Sequence, residues 1–309
     1  MHDGAVPIVL KAPYKRRPWK GVFEAESSTF LQPDGYKMEL VHHASEGTDR
    51  PPLLFVHGSF HAAWCWQEHY QPHFANTGYE SYAVSLRGQG KSTRQEGIGA
   101  CSLAEHVKDL SHIISSLPRP PVLIGHSFGG LVVQRYITGP SGSDAVEALP
   151  SVAGLGLLCA APASGNDALV KRVAKKSMMM AARLTWGMVT KNFLNNVAAC
   201  RELFFSEDLP AADLERFQGL LRDNASKIPV IDVSTMKREV PLAAPPSGHP
   251  PAFVLGADAD NIVDVQAVKE TAALYNVQPH ILHNSAHDIM LDTRWREAAD
   301  LMAAWLESL

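Results

Sequence analysis

Ser127 sits in Gly125-His126-Ser127-Phe128-Gly129, with an apolar run on either side. A serine hydroxyl is a poor nucleophile until a base takes its proton. A histidine supplies the base, and a carboxylate holds that imidazole in the required tautomer and stabilises its charged form. Both lie downstream, each just after a short apolar stretch: Ala257-Asp258-Ala259-Asp260-Asn261-Ile262-Val263 and Asn284-Ser285-Ala286-His287-Asp288. His287 is the candidate base. Asp260, followed by a polar residue and an apolar pair, is the preferred acid, with Asp258 the alternative and a turn or cap its other reading. This set suits acyl transfer, whose intermediate places negative charge on the former carbonyl oxygen and so calls for waiting N–H donors. Phe128, directly after the serine, offers one. The loop His57-Gly58-Ser59-Phe60 offers the second, from Ser59 or alternatively Phe60. Of the 14 histidines, His57 is expected to stabilise its turn and His126 to be structural. The H-x4-D pattern of His283 and Asp288 is read as a chance match.

Such a serine needs a sharp turn between a strand and a helix, and the flanks supply both. Pro121-Val122-Leu123-Ile124 reads as a buried strand, and the residues after Gly130 as a helix whose N-terminus favours negative charge at the serine. Phe23–Phe30 and Tyr36–His42 flank Gln-Pro-Asp-Gly and predict an antiparallel pair. Short apolar strands are expected at 53–56, 82–86, 152–159, 252–255 and 279–282. Helices are expected at 64–76, 103–117, 263–275 and 293–308, the second with an apolar stripe at spacings of 4, 3, 4 and 3. Short continuous apolar strands alternating with helices predict a mostly parallel sheet covered on both faces. Residues 163–245 break the rhythm and read as a helical lid inserted into a core of 22–162 and 246–309, after an N-terminal arm of 1–21. The Met178–Met180 run is read either as lid core or as an adaptable apolar wall for a greasy substrate.

Composition narrows the function. A net charge of −4 leaves no broad basic field for nucleic acid. No apolar stretch is long enough to span a bilayer, although the basic and apolar face of the lid allows peripheral membrane contact. No secretory signal is visible, and the Lys11–Lys20 cluster reads as a solvated arm. The four cysteines show no metal-binding spacing and are expected as reduced thiols in the cytoplasm or an organelle interior.

These residues resemble the α/β-hydrolase superfamily over about 22–309, on Phe55-Val56-His57-Gly58, Gly125 to Gly130, Gly256 to Val263 and Ala286 to Leu291. His57 to Trp66 is also similar to the corresponding loop of plant methylesterases and hydroxynitrile lyases. Through Ser81 to Ser92 the N-terminal half looks like lipase-like members. The resemblance implies an eight-stranded, mostly parallel sheet, a lid after the sixth strand, and no metal or organic cofactor. It departs at Ala286, where members usually carry glycine before the catalytic histidine. A serine at 127 argues against epoxide hydrolases and haloalkane dehalogenases, which place aspartate there. The leading expectation is a serine hydrolase acting on an apolar, medium-sized carboxylic ester. The alternatives are a lyase on the same scaffold, helped by Lys175, Lys176 or Lys191, and a ligand-binding receptor with a slow triad.

Overall fold

The computed structural model describes residues 25–46, 49–92, 99–139 and 148–309. The N-terminal arm, its basic cluster and Phe23 of the first expected strand lie outside them. Strands β1 (Glu26–Leu31) and β2 (Lys37–His43) pair antiparallel across a turn in which the Asp34 carboxylate accepts from the Tyr36 N–H at 2.9 Å. The sheet continues with β3 (Leu53–Val56), β4 (Ser81–Val84), β5 (Val122–His126), β6 (Gly154–Leu158), β7 (Ala252–Ala257) and β8 (His280–Leu282). The order is β1-β2-β4-β3-β5-β6-β7-β8, parallel from β4 onward, which agrees with the eight strands expected.

The central strands are apolar throughout because both faces are covered. Alternate residues of a strand point to opposite sides. Phe55, Ile124 and Leu255 pack toward α1 (Trp64–Gln67), α2 (Tyr70–Asn76) and α11 (Trp295–Leu306). Leu54, Leu123 and Val254 pack toward α3 (Leu103–Ser116), α4 (Phe128–Thr138) and α10 (Val265–Leu274). Helix α3 starts at a reciprocal cap in which Ser102 and Glu105 satisfy each other's backbone N–H. The single helix expected over 64–76 is broken at His69, whose φ is −138° and whose ring stacks on Trp295 at 4.4 Å.

Between β6 and β7 the chain runs through α5 (Asp167–Lys176), α6 (Met178–Thr190), a short 3-10 turn (Asn192–Leu194), α7 (Val197–Phe204), α8 (Ala211–Asp223) and α9 (Val233–Glu239). Neither reading of the Met run holds for Met178 and Met179, which face outward at 80% and 71% exposure. The helical repeat explains this: Leu184 and Gly187 take the buried side of α6, and the first two methionines fall opposite them. All four cysteines are free and buried. Among the described residues no helix is long and apolar enough to cross a membrane.

Candidate active site

The turn from β5 into α4 is as sharp as the motif requires. Ser127 takes φ 52° and ψ −120°, a conformation costly for any residue with a Cβ. Hydrogen bonds on both sides hold it there: its N–H donates to Leu158 O at 3.1 Å, and its carbonyl accepts from Gly130 N at 3.0 Å and Ala161 N at 2.9 Å. The flanking glycines are needed for space. A Cβ on Gly129 would lie 2.4 Å from Val56 O, and one on Gly125 would lie 2.5 Å from Gly129 O. Phe128 opens α4, so its N–H belongs to the first turn, whose donors have no partner within the helix.

His287 lies on the loop between β8 and α11, with its Nδ1 2.8 Å from Asp260 Oδ2. The other oxygen of Asp260 accepts from Ile262 N at 2.7 Å and Val263 N at 2.9 Å, so the loop after β7 fixes the carboxylate before it meets the imidazole. Burial alone would lower the pKa of His287. The neighbouring Asp260 and, more weakly, Asp288 carboxylates outweigh burial and hold it above the ordinary histidine value. The rings of His287 and His126, the residue before the serine, are 4.7 Å apart. Burial pushes His126 down to about 3, so it is neutral, and its Nε2–H donates to the carbonyl of His287 at 2.9 Å.

Asp258, the alternative acid, sits on the outer side with different partners. It accepts from Asn284 N at 2.8 Å and faces His283 Nδ1 at 2.9 Å. His283 and Asp288 therefore do not act together, since His283 is exposed and Asp288 is buried.

The loop after β3 lies directly against the elbow. A Cβ on Gly58 would come within 2.8 Å of Ser127 Cβ. This brings Ser59 and Phe60 close to the serine, with Phe60 at φ 70°. His57 braces the loop: burial pushes its pKa to about 3, its Nδ1 lies 2.7 Å from Gly58 O, and its Nε2 accepts from Leu86 N at 3.0 Å.

Two buried neighbours of these residues escaped the sequence reading. His61 is buried, with Nδ1 2.9 Å from Ser59 O and Nε2 2.8 Å from Asp288 Oδ2, which ties the loop after β3 to the loop carrying His287. Burial would raise the pKa of Asp288, but His61, with smaller contributions from His126 and His287, brings it below the usual carboxylate value. Cys159, at φ 42° just after β6, is buried beside Asp260; burial and that charge push its thiol well above the ordinary range. Donor atoms of Cys159, Asp260 and His287 come within 4.8 Å of one another, but the Asp260–His287 bond already occupies two of them.

Residues between β6 and β7 bond to the loops that carry Asp260 and His287. Phe204 O accepts from Asp288 N at 3.0 Å, Glu202 O accepts from Asn261 Nδ2 at 2.8 Å, and Asp292 accepts from the Ser206 hydroxyl at 2.6 Å. Phe193 packs edge-on to Phe60 at 5.0 Å, and the Phe204 ring lies 6.5 Å from His287.

The family model described as the alpha/beta hydrolase family matches residues 53–301. Methylesterase 1 of Arabidopsis thaliana is 35% identical over 89 residues, which is 28% of this chain and 34% of that protein. Protein phosphatase methylesterase 1 of Mus musculus is 28% identical over 158 residues, 49% of this chain and 38% of that protein. The chain thus spans little more than a third of the length of either of these relatives. In three dimensions it resembles an esterase from Exiguobacterium antarcticum, with a TM-score of 0.68, 17% identity and coverage of 91% of this chain and 100% of that one. It also resembles an epoxide hydrolase from Vigna radiata, with a TM-score of 0.61, 17% identity and coverage of 93% and 99%. Two chemistries on one architecture show that the fold alone does not choose between them.

Proposed function

Because the chain belongs to the alpha/beta hydrolase family, we propose that it is a serine hydrolase of carboxylic esters, working through an acyl-enzyme. One observation carries this reading: a serine held at φ 52° at the head of α4, directly after His126, whose ring lies 4.7 Å from the His287 imidazole, with Nδ1 of that imidazole 2.8 Å from a buried carboxylate. In the proposed cycle Ser127 attacks the ester carbonyl while His287 Nε2 takes its proton. Asp260 keeps Nδ1 protonated and stabilises the imidazolium. The N–H groups of Phe128 and of Ser59, or alternatively Phe60, receive the negative charge on the carbonyl oxygen. The imidazolium then protonates the leaving alkoxide. A water, deprotonated by His287, attacks the acyl group and restores Ser127.

The matched relatives named as methylesterases support ester cleavage. Phe60, Phe193 and Phe204 over the site favour an apolar, medium-sized substrate, with the insertion acting as lid. The lyase reading needs a lysine at the reacting centre. Lys191, the one close to this loop, has its ammonium on Ser226 O at 2.8 Å, and Lys175 and Lys176 are exposed. Four buried free thiols support a reducing compartment.

The test is initial rates on p-nitrophenyl esters of increasing acyl length, beside Ser127→Ala. Rates peaking at one length and vanishing in the variant are expected. Background rates in both proteins, with the wild type folded, would overturn the esterase reading.

A further inference from the structure

Six of the nine large hydrophobic residues that stand exposed among the described residues fall between positions 170 and 197: Val170, Met178, Met179, Trp186, Val189 and Val197. Four of them belong to α6. At 100° per residue, Met178, Val189, Trp186 and Met179 cover an arc of about 100° on one side of that helix. Trp186 is 65% exposed and Val189 75%. An apolar face of this kind on a water-exposed helix marks an interaction surface.

The charge around it is one-sided. Residues 167–190 hold Lys171, Arg172, Lys175, Lys176 and Arg183 against a single acid, Asp167. Arg172 is tied to Asp264 and Glu270, and Arg183 to Glu202. The three lysines pair with no acidic side chain among the described residues. In sequence only Ser177 separates the Lys175-Lys176 pair, at the end of α5, from Met178 at the start of α6.

We infer that α6 is a docking helix for an anionic lipid surface. Its apolar face enters the boundary between headgroups and acyl chains, and Lys171, Lys175 and Lys176 meet the lipid phosphates. Charge selects this occupant over two others. A second copy docking symmetrically would set lysines against lysines. Residues 1–24 carry five basic and two acidic side chains, the same sign as the patch. The inference does not depend on the reaction proposed above.

The test is co-sedimentation of the full chain with phosphatidylcholine vesicles, with or without phosphatidylglycerol. The protein is expected to pellet with the anionic vesicles and to be released by high salt. Replacing Lys171, Lys175 and Lys176 by alanine should weaken partitioning about a hundredfold, at about fivefold per lysine. Met179→Ser with Trp186→Ser should reduce it to the phosphatidylcholine background. All five positions are outside the candidate site, so hydrolysis of a soluble short ester should be unchanged in both variants. Variants that bind like the wild type would overturn the inference, as would a wild type that binds neither vesicle. A wild-type dimer that the Trp186 variant dissociates, with no vesicle binding, would assign the face to a second copy instead.

Discussion

Asp260 holds His287 above the ordinary histidine pKa, and the sign of that shift is testable. The imidazole must be neutral to accept the serine proton. The acid limb of kcat/KM against pH should therefore lie above about 6.5, the ordinary histidine value. Asp260→Asn should move the limb to lower pH and cut kcat on the order of 10⁴-fold, as loss of such a carboxylate does elsewhere. An unmoved limb would remove Asp260 from this role. The His61–Asp288 pair allows a separate test. His61→Ala removes the hydrogen bond to the buried Asp288 carboxylate, which costs about 1–3 kcal/mol in chemical denaturation. Asp288→Asn removes one of the charges that raise His287, so its acid limb should also move down, by less than in Asp260→Asn. Ser127, Asp260 and His287 stand out as candidates in the sequence because each follows a strand within a local pattern. His61 and Asp288 are 227 positions apart, and nothing in one sequence joins them.

The elbow is where an element depends most on single atoms. Gly129→Ala would push a methyl group into Val56 O and His57 O, at 2.4 and 2.5 Å, and both are backbone atoms that cannot rotate away. We expect a loss of about 3 kcal/mol, the upper end for overpacking, with activity falling further because the loop at 57–61 must shift. A urea midpoint equal to that of the wild type would show that the contact relaxes freely. Strands were the most legible elements, since an all-apolar run such as Leu53–Val56 has few uses other than a strand buried on both faces. The break between α1 and α2 was not legible: no turn-forming residue marks it, and the ring that His69 stacks on, Trp295, lies at the far end of the chain. The outward methionines were missed for a related reason: composition marks apolar residues, but only packing partners decide which side of a helix is inside.

Among the described residues, three fully buried histidines are pushed furthest from the ordinary value. Burial pushes His57 and His126 down to about 3 and His106 down to about 4. The unfolded chain takes up these protons near pH 6.5, whereas the folded chain resists until far lower. Their contribution is therefore complete above about 6.5 and is lost as pH falls toward 3–4, at about 1.4 kcal/mol per unit for each group. One unit below 6.5, the three together remove about 4 kcal/mol. Urea midpoints at pH 7.5 and 5.5 measure this, and equal midpoints would contradict neutral burial. The layered sheet was legible from strand–helix alternation. The hydrogen bonds of Asp292 and Asn261 that seat the insertion over the site were not legible, since each crosses between segments distant in sequence.

The four buried thiols give the protein its own set of clocks. Cys200 lies in α7 of the insertion, whereas Cys65 and Cys159 lie beneath it against the sheet. A thiol reagent can reach any of them only when its surroundings open. If the insertion lifts as a unit, Cys200 reacts early and Cys65 late, and mass spectrometry of the labelled peptides separates the two rates. If all four react together, the insertion and the sheet open as one body.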